Sequence, residues 1–175
     1  MSNTLFFQDQ AGKYRTKSAV TKQQIINFAR ELIIPDFIGN TILSSSAEAA
    51  SFLQIALADE RKENFGVIFL ASSMKVIAFE VLETGTISVN TIYPRNILTR
   101  VIELNAQYVV LAHNHPSGTI QPSTPDYELT KKIQKVLEVI DVKVQDHIIV
   151  GGNKYFSFAD NGALNQTGGK FHEQS

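Results

Sequence analysis

The segment from His113 to Asp126 carries the side chains with the clearest potential for chemistry in this chain. His113 and His115 lie two residues apart where a buried strand is predicted to end. An extended backbone turns alternate side chains to the same face, so both imidazoles point to one side, as in a chelate. Asp126 falls in the first turn of the next predicted helix. Counting back from Leu129 and Ile133 places its carboxylate on the inward stripe of that helix.

These three side chains match the ligand set of a catalytic zinc ion. A carboxylate that faces inward is costly unless it is paired or bound to a metal. Two histidines and one carboxylate leave a fourth position on zinc for water. The chain contains no cysteine, which excludes disulfides, thiolate zinc sites, iron–sulfur clusters and a cysteine nucleophile. The sequence therefore predicts one zinc ion per chain, bound by His113, His115 and Asp126.

Helix capping is a simpler explanation for part of this pattern. Ser123 and Asp126 have the spacing of a cap, in which a serine oxygen satisfies free backbone amides and an acid complements the helix dipole. Pro125 instead suits the first helical position after a Thr124 cap, which would leave Ser123 free for other work. Two histidines in this spacing are weak evidence alone, but the complete string favours the metal site.

A water on zinc also needs a proton acceptor, and the sequence offers four candidate glutamates. Glu60 and Glu63 precede the strand predicted over 64–70, whereas Glu80 and Glu83 belong to the next strand. Periodicity does not choose among them. The ordinary role of most of these residues is that of a solvated surface acid.

The elements around this segment alternate between helices and strands, which favours an α/β fold with a mixed sheet between helices. Helices are predicted over 21–33, ending before Pro35, from a Ser45 cap to about Arg61, from Pro94, and over 125–140. The last of these has its buried stripe at Leu129, Ile133, Leu137 and Ile140. Strands are predicted over 64–70, 75–82, 86–92, 108–112, 142–150 and 154–158.

Length and composition limit the classes of function. A chain of 175 residues suits one domain with appendages, and 43% hydrophobic with 19% charged residues is typical of globular proteins. The net charge of −1 does not predict a broad DNA-binding surface. We expect no transmembrane span and no signal peptide. The absence of cysteine suits a reducing compartment, and we expect a cytoplasmic location.

The histidine segment also resembles a known motif. HxHP, then six residues, then S-x-x-D resembles the JAMM signature of the MPN-plus metalloproteases. The fuller string, His113-Asn-His-Pro-Ser-Gly118 followed by Pro122-Ser123 and Asp126, resembles the RadC family of the same JAB/MPN group. The resemblance covers roughly residues 45–164 and includes Gly85-Thr86, Tyr93-Pro94-Arg95, Leu104-Asn105-Ala106, Leu129-Thr130, Asp146-His147-Ile148-Ile149-Val150 and Ser157.

The resemblance implies a JAB/MPN domain over 41–164 with a cytidine-deaminase-like three-layer architecture. An N-terminal helical extension (1–40) and a loose C-terminal tail (165–175) flank this domain. The resemblance also implies that His113, His115 and Asp126 are the zinc ligands.

The resemblance implies roles for further residues. Ser123 matches a serine that hydrogen-bonds the zinc water or the tetrahedral intermediate. Glu63 matches the general base, because Glu63-Asn-Phe-Gly66 fits the family's E-x-x-G before an apolar strand, and Glu60 is less well placed. Asp146 and His147 match a recurrent pair that is expected to be a buried structural hydrogen bond or a support near the site, not a ligand.

The implied activity is zinc-dependent hydrolysis of a peptide or isopeptide bond in a peptide or protein substrate, without a membrane partner. One alternative is a DNA repair-associated protein that acts on or near DNA. The first 40 residues lack the Gly-rich helix-hairpin-helix pattern that often precedes this domain in RadC-like proteins. We therefore expect weak DNA affinity, on the order of 10⁻⁴ M or poorer. Another alternative is a non-catalytic MPN scaffold, which the complete ligand set disfavours. No oligomeric state is predicted.

Overall fold

The computed structural model describes residues 5–58, 61–85 and 92–164. Its helices are α1 (Lys22–Phe37), α2 (Ser46–Ala56), α3 (Pro94–Leu104) and α4 (Thr124–Glu138). Its strands are β1 (Phe6–Gln8), β2 (Tyr14–Thr16), β3 (Glu63–Leu70), β4 (Val76–Gly85), β5 (Tyr108–Asn114), β6 (Lys143–Gly151) and β7 (Lys154–Ser157). In these residues, β3 to β7 form one sheet in the order β4-β3-β5-β6-β7, and β1 pairs with β2.

The central sheet is mixed because α4 connects β5 to β6. A crossover helix returns the chain to the same edge, so β5 and β6 run parallel. The other neighbouring pairs in the sheet are antiparallel. Strands β3 and β5 are continuous apolar runs since helices cover both faces of the sheet.

Two apolar cores lie on opposite faces of this sheet. On one face α1 and α2 pack against Ile68, Val110 and Ile148. On the other face α3 and α4 pack against Val67 and Leu111. The resulting layers of helices, sheet and helices confirm the predicted α/β fold with a mixed sheet. None of the helices in the described ranges combines the length and apolar character that a bilayer crossing requires.

The first helix is longer than the sequence suggested. We expected it to end before Pro35, but α1 continues to Phe37. Pro35 lies in the last turn, where its missing N–H removes a single intrahelical hydrogen bond. The Phe37 ring stacks on Phe52 of α2 at a centroid distance of 3.7 Å. This packing holds the last turn on the core and outweighs the lost hydrogen bond.

Other boundaries also differ from the prediction. Helix α2 begins after the predicted Ser45 cap but ends at Ala56, well before Arg61. Helix α4 ends at Glu138, and Ile140, predicted to be buried, is 37% exposed. The β1–β2 hairpin was not anticipated in the N-terminal segment. The strand predicted over 86–92 lies outside the described residues except for residue 92. The tail predicted over 165–175 also lies outside them.

The packing of α4 generates a stability prediction. Ile133 on this helix is 0% exposed, whereas Val139 at its end is 83% exposed. Ile133→Ala should lower the free energy of unfolding by about 2–5 kcal/mol, because it removes buried methyl groups and leaves a cavity. Val139→Ala should change it by less than about 0.5 kcal/mol. Urea unfolding of both variants measures the difference, and equal effects would contradict the placement of the core.

Candidate metal centre

The two histidines lie where β5 ends. The strand includes His113 and Asn114, and the extended path continues because the His115 amide donates to the Val150 carbonyl at 2.9 Å. The Nε2 atoms of His113 and His115 are 2.9 Å apart. The prediction that both imidazoles face one side is therefore confirmed.

The carboxylate of Asp126 reaches the same point from the first turn of α4. Its Oδ1 atom lies 3.3 Å from His113 Nε2, and its Oδ2 atom lies 4.0 Å from His115 Nε2. The ligand atoms that the three side chains offer all lie within 4.8 Å of one another. The structure thus brings together the three residues that the sequence singled out.

Ser123 orients this carboxylate. Its backbone N–H and its hydroxyl donate to Asp126 Oδ2 at 2.7 and 2.6 Å. The prediction of a Thr124 cap was wrong, because α4 begins at Thr124 and its N-cap is Ser123. Since Oδ2 accepts both hydrogen bonds from Ser123, Oδ1 is the oxygen left to face His113. The hydrogen bonds between Ser123 and Asp126 thus both cap α4 and orient the carboxylate.

Hydrogen-bond partners determine which nitrogen of His115 carries its proton. The Nδ1 atom lies 3.0 Å from the Thr119 carbonyl oxygen. A carbonyl only accepts, so Nδ1 must donate. The Nε2 atom of neutral His115 then presents a lone pair toward His113.

A chain of buried hydrogen bonds determines in the same way which nitrogen of His113 carries its proton. Thr130 Oγ1 lies 2.6 Å from the Asp126 carbonyl oxygen and 2.6 Å from His147 Nδ1. The carbonyl has no proton, so the single hydroxyl proton goes to it, and His147 Nδ1–H donates to Thr130. The Nε2 atom of His147 then accepts from His113 Nδ1–H at 2.9 Å. His113 Nε2 also presents a lone pair.

The Nε2 atoms of His113 and His115 therefore face each other across 2.9 Å, while each Nδ1 atom has its own hydrogen-bond partner. Burial, which outweighs the attraction of Asp126, lowers the pKa of His113 to about 4. Burial also lowers the pKa of His147 well below its ordinary value. Both His113 and His147 are therefore neutral at neutral pH, and His113 Nε2 is the nitrogen that faces His115 and the Asp126 carboxylate. Bonds of 2.0–2.1 Å in a tetrahedral zinc site separate ligand atoms by about 3.3 Å, close to the spacing here. The donor set fits a divalent metal ion.

Glu63 stands at the same end of the sheet. In the antiparallel pairing of β3 with β5, Phe65 is opposite His113. Continuing this register by two residues brings Glu63 to the level of His115, on the face that carries Phe65 and His113. Glu63 is half-buried.

Asn114 fixes the backbone on both sides of Glu63. Its Oδ1 atom accepts from the Asn64 amide at 2.7 Å, and its Nδ2 group donates to the Lys62 carbonyl at 3.1 Å. Asn114 stands between the two histidines. One side chain of β5 thus ties the position of the glutamate to that of the imidazoles.

The other candidate glutamates are placed elsewhere. Glu80 lies on β4 and accepts from Arg100 Nε at 3.0 and 2.9 Å with its two oxygens. Glu83 also lies on β4, opposite Phe65, so β3 separates both residues from β5. Glu60 lies outside the described residues. Among the described candidates, Glu63 is the one on the strand next to the histidines.

Comparison with known proteins identifies the family. The RadC-like JAB domain family matches residues 43–163. The chain belongs to the RadC-like JAB family. The resemblance drawn from the histidine segment is confirmed.

Curated relatives of this RadC-like JAB domain carry the name UPF0758 protein. The relative from Pseudomonas fluorescens (strain SBW25) is 39% identical over 158 residues, 90% of this chain and 70% of the relative. The relative from Legionella pneumophila (strain Corby) is 42% identical over 120 residues, 68% of this chain and 53% of the relative. YkfG of Escherichia coli (strain K12) is 40% identical over 121 residues, 69% of this chain and 77% of the relative. This chain thus spans about half the length of the Legionella protein.

The sequence left open whether Asp146 and His147 make a structural hydrogen bond or support the site, and the structure assigns one role to each residue. Asp146 is structural in the RadC-like domain, because its carboxylate accepts from Ser157 Oγ at 2.6 Å, from Ala159 N at 2.9 Å and from His147 N at 2.7 Å. Burial raises the pKa of Asp146. His147, in contrast, contacts His113. Sequence spacing gave no signal for this contact, which depends on the parallel pairing of β5 with β6.

Gly151 allows the histidine loop to approach β6. A Cβ atom there would lie 2.6 Å from the Gly118 carbonyl oxygen and 2.9 Å from that of Thr119. The Thr119 carbonyl is the group that accepts from His115 Nδ1. No local sequence pattern indicates this role of Gly151. In the structure, the absence of a side chain at Gly151 lets the Thr119 carbonyl reach the position from which it orients His115.

Gly151→Ala should therefore weaken binding of a divalent ion such as zinc by about 10–100-fold, the usual loss when an outer hydrogen bond to a ligand is disturbed. The matched control is Gly152→Ala. At Gly152 φ is +60° and nothing lies within 4 Å of an added Cβ. This control should lose about 1–2 kcal/mol of stability from the left-handed backbone but keep its metal affinity. Chelator competition measures both, and equal affinities for the two variants would contradict this role.

Proposed function

We propose that this RadC-like JAB domain is a zinc-dependent hydrolase that cleaves a peptide or isopeptide bond in a peptide or protein substrate. The observation that carries the proposal is the convergence of two imidazole nitrogens and one carboxylate oxygen within 4.8 Å of one another. Two histidines and a carboxylate are the ligands of zinc in hydrolases that keep a fourth position open. The family match supports the same chemistry.

His113, His115 and Asp126 would hold the zinc ion, which supplies an acidified water and polarises a carbonyl. Ser123 donates to Asp126 Oδ2 and keeps that carboxylate turned toward the histidines. In the proposed reaction, the carboxylate of Glu63 takes a proton from water and delivers it to the nitrogen of the leaving amine. Asn114 keeps Glu63 at the level of His115.

A groove of about 820 Å³ offers a path for the substrate. Its lining includes Gln54, Arg61, His115, Gly118 and Gly152. The His115 side chain is 11% exposed and that of His113 is 2% exposed, so the centre is open on the His115 side. The volume suits a short extended segment of a polypeptide.

The alternatives lack comparable support. A scaffold has no need of three converging ligand groups. A net charge of −1 does not favour binding to DNA phosphates. A cytoplasmic location is part of the proposal, because a chain without cysteine suits a reducing compartment.

Zinc binding provides a direct test. Purified protein should contain about one zinc ion per chain, and the double variant His113→Ala with His115→Ala should contain none, since it loses two of three ligands. Elemental analysis of both proteins measures this. Equal zinc contents in the two proteins would remove the basis of the proposal.

Glu63→Gln tests the hydrolysis itself. Glutamine has nearly the same volume and Glu63 makes no bond to the metal, so the variant should stay folded and keep its zinc. It cannot accept a proton, however, and turnover of a peptide or isopeptide-linked substrate should fall by about 10²–10⁴-fold. A peptide-library screen supplies the substrate, and steady-state rates measure the loss.

Glu60→Gln and Glu83→Gln are the matched controls and should keep wild-type rates. Loss of activity in Glu60→Gln with none in Glu63→Gln would place the base at Glu60 instead of Glu63. Loss in Glu83→Gln alone would move it to β4.

A further inference from the structure

We propose that His147 and Thr130 are positioning residues of the metal centre, which lock His113 in the form that presents Nε2 to the metal. The inference rests on the proposed function for the location of the metal. It concerns metal binding and does not depend on which bond is cleaved.

The contacts form a closed circuit that begins and ends on Asp126. His113 Nε2 lies 3.3 Å from the Asp126 carboxylate, and His113 Nδ1 lies 2.9 Å from His147 Nε2. His147 Nδ1 lies 2.6 Å from Thr130 Oγ1, which donates to the Asp126 carbonyl at 2.6 Å. A shift of His113 relative to α4 must therefore break a buried hydrogen bond.

Water does not replace these contacts, because both intermediate residues are buried. His147 is stacked against Phe158 at a centroid distance of 4.8 Å, and Phe65 closes another side at 6.1 Å. Among the described residues, no buried side-chain nitrogen or oxygen lacks a hydrogen-bond partner. Removing one member of the circuit leaves the next without a partner.

Thr130 determines which group donates and which accepts in each hydrogen bond of the circuit, because its hydroxyl has a single proton. That proton is committed to the Asp126 carbonyl, so the hydroxyl oxygen accepts from His147 Nδ1–H. Thr130→Val keeps the shape and removes the acceptor. The proton of His147 then has a hydrogen-bond acceptor only if it is carried on Nε2, where it faces His113 Nδ1. His113 must in turn carry its own proton on Nε2, the atom that the metal requires.

The experiment compares zinc affinity in the wild type, Thr130→Val and Thr130→Ser by chelator competition. Thr130→Val should bind zinc about 10–100-fold more weakly, the usual effect of an outer hydrogen-bond partner. Thr130→Ser keeps the hydroxyl and should restore most of the affinity. Urea unfolding of the metal-free proteins serves as the control for a general loss of structure.

Nitrogen-15 NMR of the histidine rings gives an independent measurement and requires no variant. In the metal-free wild type, His113, His115 and His147 should each carry the proton on Nδ1. In Thr130→Val the proton of His113 should move to Nε2. A role of Thr130 in packing alone would leave the ring protons unchanged.

Wild-type affinity in Thr130→Val, or a proton on Nε2 of His113 in the wild type, would overturn the inference. Failure of the proposed function has a different signature. In that case the wild type and Thr130→Ser bind zinc with the expected ring protons, and no peptide or isopeptide bond is cleaved.

Discussion

The candidate metal centre depends on two imidazole Nε2 atoms that the fold holds 2.9 Å apart. Each ring is held in place through its Nδ1 atom. His115 is held by the Thr119 carbonyl, and His113 is held by His147. His147 is buried, so water does not compete for its contact with His113, whereas the Thr119 contact depends on the close approach of the histidine loop to Gly151. Both Nε2 atoms are thus left to face the Asp126 carboxylate, as three ligands of one metal ion would.

The sheet order explains how residues far apart in sequence reach this point. Strand β5 lies between β3 and β6, so the start of β3, the end of β5 and the C-terminal half of β6 are neighbours in the sheet. They deliver Glu63, His113 and His147 to one face of the sheet. The apolar contacts of Ile133 and Leu137 hold α4 on that face, which brings Asp126 to the histidines. The packed core thus sets the geometry of the polar centre.

Much of this centre could be predicted from local sequence, and the remainder could not for physical reasons. The shared face of His113 and His115 follows from strand periodicity, and the inward direction of Asp126 follows from helix periodicity. The contact of His147 with His113 depends on which strands pair, information that no local pattern contains. Gly151 was missed because its role is to leave space. The sequence left open a Ser123 cap and a Thr124 cap, since Pro125 is compatible with the first or second helical position, and the structure has Ser123 as the cap.

The same interactions that stabilise the fold also prepare the metal site. Ser123 caps α4 and orients Asp126 with one pair of hydrogen bonds, and Thr130 ties the same helix to His147. These hydrogen bonds join groups of the protein to one another, so folding itself contributes to the orientation of the proposed ligands. This differs from small zinc domains, in which the ion supplies the folding free energy. In the RadC-like domain two apolar cores stabilise the fold, so a metal ion at the proposed site would not be needed for folding and its open position would be available for chemistry.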